Sequence, residues 1–292
     1  MAMNSLQKMY IEMVEKALDR YVSRQRCNDD HVLEAMRYAV LGGGKRVRAL
    51  LVLNFNRVLG GAANDAMEFA AAIEMVHAYS LIHDDLPCMD DDDMRRGKPS
   101  CHKAFGEAVA LLAGDGLLTL AFETMARNTS IPQEAVLEGL RQLAAAAGPR
   151  GMVGGQAIDI EGSAQSVDEL TGMCLMKTGA LIKCAVRLGC ISVGASEDIM
   201  AQADIYADAI GLAFQIRDDI LDIIGDEIEL GKSVGSDQSN QKTTFATVLG
   251  LEKAQHLNER LTQTALDALT QLGVEQDDPL YEMTIELCNR KK

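Results

Sequence analysis

Tryptophan is absent from this 292-residue chain, proline occurs five times, and aromatic residues make up only 4%. No stretch alternates β-branched residues with polar ones, which leaves little material for a sheet. A disulfide scaffold is excluded as well. The seven cysteines (Cys27, Cys88, Cys101, Cys174, Cys184, Cys190, Cys288) are odd in number, scattered, form no CxxC pair and read as reduced thiols. The N-terminal stretch MAMNSLQKMYIEMVEKAL carries acids inside its periodic pattern, with no basic segment leading into an apolar one, so no signal peptide is expected. No uninterrupted apolar run approaches the ~18 residues of a membrane span. Positive charge is scarce: 28 Lys and Arg against 43 Asp and Glu leave a net charge of -15. Such a field repels polyanions and argues against nucleic acid or anionic lipid as a partner. Phosphate ligands that fit must be small and held locally. A soluble cytoplasmic protein, with no nucleic-acid partner and no stable membrane association, is the expectation.

What is present is Ala, Leu and Met at helical spacing, and the chain reads as all-α. Helices are expected at about 5–22, 29–40, 45–59, 62–85, 104–126, 134–147, 166–189, 197–224 and 242–270. The breaks fall at GGGK (42–45), GG (60–61), the Pro87 to Pro99 loop, Pro132, Gly148–Pro149 and the Gly225 to Gly235 loop. No linker separates two cores, so a single domain over 1–292 is expected. One loose echo recurs. HDDLPCMDD and RDDILDIIGD each close an apolar helix, which invites a site shared by two acid-tipped helices.

In LIHDDLPCMDDDDMRRGKP, Asp84, Asp85 and Asp90 to Asp93 crowd together ahead of Arg95 and Arg96. Packing like charges this closely costs stability unless cations neutralise them, and hard divalent cations are the natural partners of carboxylate oxygen. Asp218 and Asp222 lie one helical turn apart, with Asp219 close to the same face, among apolar neighbours Phe214, Ile216, Ile220 and Leu221. A single such string is as readily a solvated helix face. Two of them, each with basic residues nearby, fit magnesium bridging a phosphate.

GGGKRVR places Lys45 and Arg48 on one helical face just after a glycine turn, where free backbone N–H groups also favour an anion. It is not a P-loop, since Arg46 follows Lys45 where Ser or Thr is needed and no strand precedes it. His77 precedes Asp84 by two helical turns on nearly the same face. Lys177 and Thr178 in MKTGAL, Gln215 before the second acid string, and Lys232 and Lys242 after it are individually weak signals, because a loop lysine is ordinarily a solvated charge.

In order along the chain, GGGKRVR, HAYSLIHDDLPCMDDDDMRRGKPSCH, GMVGGQAIDI, MKTGALI, FQIRDDILD and GKSVGSDQSNQKTTF resemble the trans-isoprenyl diphosphate synthase family, most closely its bacterial farnesyl type with the plant geranylgeranyl relatives. The resemblance spans about 42–245. It implies an isoprenoid-synthase helical bundle around a deep central cavity, usually a homodimer. It also implies a prenyltransferase that joins isopentenyl diphosphate to an allylic diphosphate with Mg2+, or Mn2+, as cofactor. Asp84, Asp85, Asp90, Asp218, Asp219 and Asp222 are the implied metal ligands. Arg95, Lys177 and Lys232, with Lys242, are implied on the allylic diphosphate, and Lys45, Arg48, His77 and Arg96 on isopentenyl diphosphate. Thr178 and Gln215 are implied to face the allylic cation. Arg217 departs from the Gln of many bacterial relatives and is expected to point away from the site. Asp91 to Asp93 are left as supporting or solvated acids.

Tyr79 stands five residues before Asp84, beside Ser80. As a bare residue it reads as a core tyrosine with a satisfied hydroxyl. The resemblance implies that an aromatic here stops elongation at C15, where plant C20 enzymes carry a smaller residue. A helical metal phosphohydrolase built on His83-Asp84 lacks the further histidine pair it needs. A terpene cyclase would lack Lys45, Arg48 and Arg96, and a non-catalytic synthase subunit would have eroded acid motifs.

Overall fold

The computed structural model describes residues 4–25, 30–224 and 243–290. Helices dominate it, as the shortage of strand-forming residues requires. The chain divides into two compact units, one of Asn4–Gln142 with Leu188–Gly194, the other of Leu143–Arg187 with Ala195–Lys292.

The N-terminal unit contains α1 (Ser5–Ser23), α2 (Asp30–Val40), α3 (Val47–Val58), α4 (Met67–Asp84), a hairpin of β1 (Met94–Arg95) and β2 (Lys98–Pro99), α5 (Cys101–Phe105), α6 (Glu107–Ala126) and most of α7 (Gln133–Ala147). Its centre is α4, which buries residues on every face, as a helix apolar all round must. Phe69, Ile73, Met75 and Val76 are wholly inaccessible. Each such side chain contributes roughly 1.5–3 kcal/mol by leaving water, so Ile73→Ala would cost about 2–5 kcal/mol. The polar exception on α4 is Glu74. Its carboxylate accepts from Ala49 N at 3.0 Å and pairs with the buried Arg46 at 3.4 Å. Arg46 also donates to Glu15 and to the Val40 carbonyl. It is a structural cation that fixes the entry to α3 in a left-handed conformation, φ 49°.

The C-terminal unit holds α8 (Met152–Glu161), α9 (Val167–Cys174), a wide π-type turn at Leu175–Gly179, most of α10 (Ala180–Ile191), α11 (Glu197–Ile224), α12 (Phe245–Leu249), α13 (Leu251–Gln271) and α14 (Pro279–Cys288). Its core joins Leu170, Cys174, Ile216, Ile220, Phe245 and Ala254. Tyr206 on α11, fully buried, bonds through its hydroxyl to Thr284 of α14 at 2.9 Å. Ser166 and Thr244 each cap a helix reciprocally with the third residue inside, and Asp278 caps α14 ahead of Pro279.

Four expectations shift. The helix expected at 104–126 is two, broken at Gly106 (φ +86°), and that at 242–270 is broken at Gly250 (φ +82°), both backbone angles that side chains resist. The helix expected at 166–189 carries the π turn. Residues 152–161, where no helix was expected, form α8. Their glycines serve close packing: a Cβ on Gly155 would lie 2.2 Å from Lys177 N. By length and composition α6 is apolar enough to cross a membrane, yet Ala113, Leu117, Ala121 and Met125 are buried within its unit. The six described cysteines are free thiols, as expected.

Candidate active site

In the N-terminal unit the first acid string starts where α4 ends. Asp84 is the last helical residue, and the chain folds back so that Asp90 N donates to the Asp84 carbonyl at 2.9 Å. Asp85 is 2% exposed and is gripped by Arg95, whose Nε lies 3.0 Å from Oδ1 and whose Nη2 donates to the same oxygen. Burial raises the Asp85 carboxyl and Arg95 partly restores it. Arg95 also pairs with Asp92 at 2.9 Å. Asp93 pairs with Lys103 at 2.8 Å, so part of the acid crowding is met internally.

A two-residue turn, Arg96-Gly97 (φ 53° and 75°), closes the hairpin with Arg95 opposite Lys98. Arg95, on the strand, reaches Asp85, while Arg96, in the turn, reaches the glycine loop. The Arg96 guanidinium donates to Gly43 O, and its carbon would be 2.8 Å from a Cβ on Gly44. Burial, then Arg48, Arg96, Arg46 and Arg95, holds His77 well below the usual imidazole range. Arg48 is lowered by burial and by Arg96, against the pull of Glu74, and its Nε is buried without a hydrogen-bond partner. Arg46 and Arg95 are answered by carboxylates, which leaves Arg48 and Arg96 beside a neutral imidazole as a site that favours an anion. Arg96 also lines a pocket with Tyr38, Gly42, Ala78, Asp85 and Arg95.

Tyr79 is buried on α4, edge-on to His83 at 5.6 Å, and its hydroxyl is pushed up to about 12 by burial and by Asp84. The Ser80 hydroxyl donates to His77 O at 2.9 Å. His83 packs on Gly114 and contacts Leu111 O at 3.0 Å, an interhelical role.

In the C-terminal unit Lys177, Thr178, Gln215, Asp219, Asp159 and Phe245 line a second pocket. Lys177 sits on the π turn, a register change that recurs at functional sites, with Nζ 2.5 Å from Asp159 Oδ2. The Thr178 hydroxyl approaches Gln215 Oε1 at 3.4 Å, Gln215 donates to Asp219 Oδ1 at 3.0 Å, and Phe245 N donates to Asp219 Oδ2 at 2.8 Å. Asp222 is buried. Asp218 pairs with Arg290, whose guanidinium covers the Phe214 ring at 3.7 Å. Among the described residues no three His, Cys, Asp or Glu side chains converge as a ready metal cage. The donors present are carboxylate oxygens, which suit a hard divalent cation that takes its remaining ligands from a phosphate.

The structure thus brings Arg48, His77 and Arg96 together, and likewise Lys177, Thr178, Gln215 and Asp219. Lys45 is half-buried in the glycine loop and Asp90 is exposed at the end of its turn. Lys232 and Lys242 lie outside the described residues. Sequence reasoning passed over Asp159, although GMVGGQAIDI contains it, and also Glu74, Arg46 and Arg290. Arg217, expected to point away, donates to the Arg290 carbonyl at 2.7 Å. Only packing reveals these partners.

Comparisons with known proteins agree with this layout. A family model described as polyprenyl synthetase matches residues 29–275. A farnesyl diphosphate synthase of Geobacillus stearothermophilus is 49% identical over 247 residues, 83% of each chain. That of Escherichia coli K12 is 44% identical over 273 residues, 92% of this chain and 91% of its own. The large subunit 1 of a heterodimeric geranylgeranyl pyrophosphate synthase from Arabidopsis thaliana chloroplasts is 44% identical over 96% of this chain and 77% of its own. Among solved structures, a geranyltransferase from Legionella pneumophila superposes with a TM-score of 0.87 at 35% identity, covering 98% of this chain and 96% of its own. An FPP/GFPP synthase from Zymomonas mobilis gives 0.82 at 39% identity, covering 95% and 97%.

Proposed function

The chain belongs to the polyprenyl synthetase family and is a short-chain prenyltransferase with the helical isoprenyl synthase fold, and we propose that its product is (2E,6E)-farnesyl diphosphate. In this reading it condenses isopentenyl diphosphate with dimethylallyl and then geranyl diphosphate. The observation that carries the reading is the guanidinium cluster of Arg48 and Arg96 around a neutral His77 beside Gly43 and Gly44, a built anion site in a protein whose net charge is -15. In this reading Lys45, on the adjoining glycine loop, is a further cation for the same anion.

The allylic C–O bond breaks with its electron pair leaving on pyrophosphate, the isopentenyl double bond attacks the cation, and one proton is lost to the departing pyrophosphate. Arg95 and Lys177, held by Asp85 and Asp159, carry positive charge toward the leaving group, a preorganised stabilisation that costs no rearrangement at the moment of ionisation. Thr178 and Gln215 turn polar oxygens to the cation, and Lys232 and Lys242 add charge in the same role. When bound, magnesium, or manganese, supplies further positive charge to the pyrophosphate; Asp84, Asp85 and Asp90 of one motif and Asp218, Asp219 and Asp222 of the other are the carboxylates that would hold it.

Tyr79, bulky and buried in α4 ahead of Asp84, supports termination at C15, as do the names of the bacterial relatives. The second reading, a C20 product, is favoured by the Arabidopsis relative. The same reading includes a cytoplasmic homodimer, to which the exposed Leu111 and Leu112 of α6 lend support. Incubating the protein with isopentenyl and dimethylallyl diphosphates, with magnesium or with EDTA, and chromatographing the dephosphorylated products tests it. Magnesium-dependent C15 alcohol is expected. C20 alcohol would overturn the chain-length assignment alone, and absence of any elongation would overturn the function.

A further inference from the structure

The C-terminal end of the chain is tied to the second acid string by three contacts that nothing in prenyl transfer requires. Arg290 follows Asn289, the cap residue of α14. Its guanidinium pairs with Asp218, lies 3.7 Å over the Phe214 ring, and donates to the Phe214 carbonyl at 3.2 Å. Phe214 and Asp218 are one turn apart on α11, so one planar group spans both. The backbone of this tail is anchored as well: Arg217 Nε donates to Arg290 O at 2.7 Å, and Asn258 Nδ2 donates to Cys288 O at 2.9 Å. The Arg290 side chain is only 11% exposed, against 37% for Asp218. Arg217 and Asn258 therefore both hold this segment in place.

Asp218, Asp219 and Asp222 repel one another, and Arg290 partly offsets that repulsion. The Arg290 guanidinium holds Asp218 Oδ1, so a divalent cation that takes that oxygen competes with it.

We propose that Arg290 is a built-in counter-cation of Asp218, a latch that a divalent cation must displace and that thereby weakens metal binding at the second acid string. The proposal rests on the reading that this string holds the metal. Its consequence is that metal binding frees the chain end, coupling occupancy of Asp218 to the packing of the tail against α11.

The test uses Mn2+ alone, with the full chain, followed by the loss of free-ion signal in electron paramagnetic resonance. Arg290→Ala is expected to tighten Mn2+ binding by about threefold to tenfold, the range of a partly exposed ion pair. Arg217→Gln, which loosens the tail but keeps the guanidinium, is expected to tighten it less. In an Asp218→Asn background the Arg290 substitution is expected to change nothing, which assigns the effect to this pair. Where Arg290→Ala does not fold, Arg290→Gln removes the charge while keeping a planar head over Phe214 and carries the same expectation. Unchanged or weaker Mn2+ binding in the folded Arg290 variants would overturn the latch. Because no turnover is read, Mn2+ binding in this pattern by a protein that elongates nothing would leave the latch standing and remove the prenyltransferase reading.

Discussion

The Lys177 ammonium lies 2.5 Å from the Asp159 carboxylate, a contact made possible because Gly155, one turn before Asp159, lets α8 approach the π turn until a Cβ would lie 2.2 Å from Lys177 N. Charge, register change and glycine act together there. Lys177→Ala is expected to lower kcat by about a hundredfold or more through loss of a preorganised cation. Asp159→Asn, which leaves the ammonium in place but unsteered, is expected to cost about tenfold to a hundredfold. Gly155→Ala is expected to lower the melting temperature as well as activity, since the methyl group meets backbone rather than a side chain that can rotate away. Unaltered turnover in Lys177→Ala would remove it from the site.

Glu74 and Arg46 are 3% and 2% exposed in their side chains. Removing one member of a buried pair strands the other, so Glu74→Gln is expected to destabilise the fold by about 3–5 kcal/mol. Urea unfolding measures this. A loss below about 1 kcal/mol would mean that Glu15 alone balances the guanidinium.

His77 is held below its ordinary value of 6.5 in the folded state. The unfolded chain therefore takes up its proton first as pH falls, and the sign is that stability is full above about 6.5 and declines as pH drops from there toward the lowered value. His77→Gln is expected to flatten this part of the stability profile below about pH 6.5. An unchanged slope in that variant would show that another group drives it.

Tyr79 fills its place on α4 at 6% exposure. Tyr79→Ala removes most of an aromatic side chain and is expected to shift the main product from C15 toward C20 or longer, read by chromatography of the dephosphorylated prenols, with a stability loss of about 3–5 kcal/mol or less. Unaltered product length would place the floor of the cavity elsewhere.

Much of this was legible in the linear sequence because the signals are local. Poverty in β-branched alternation announced helices, and the two aspartate strings announced cations. The boundaries at Gly106 and Gly250 were missed because a glycine within an apolar periodic run looks like a tolerated helix residue until its φ is known. No helix was expected at α8, whose glycines at 154 and 155 serve close packing.

By itself the sequence determined the all-helical class, the membership of the acid and glycine motifs, and the residue types available for cation and phosphate, since each depends on neighbours within a turn or two. Only the tertiary structure decided which charges are already answered. Asp85 belongs to Arg95, Asp159 to Lys177, Glu74 to Arg46 and Asp218 to Arg290, pairs separated by 10 to 72 positions in the chain. No periodicity links such residues. They meet because burying the apolar faces of the helices sets where the charged side chains emerge, and a charge brought out of water there must find its opposite.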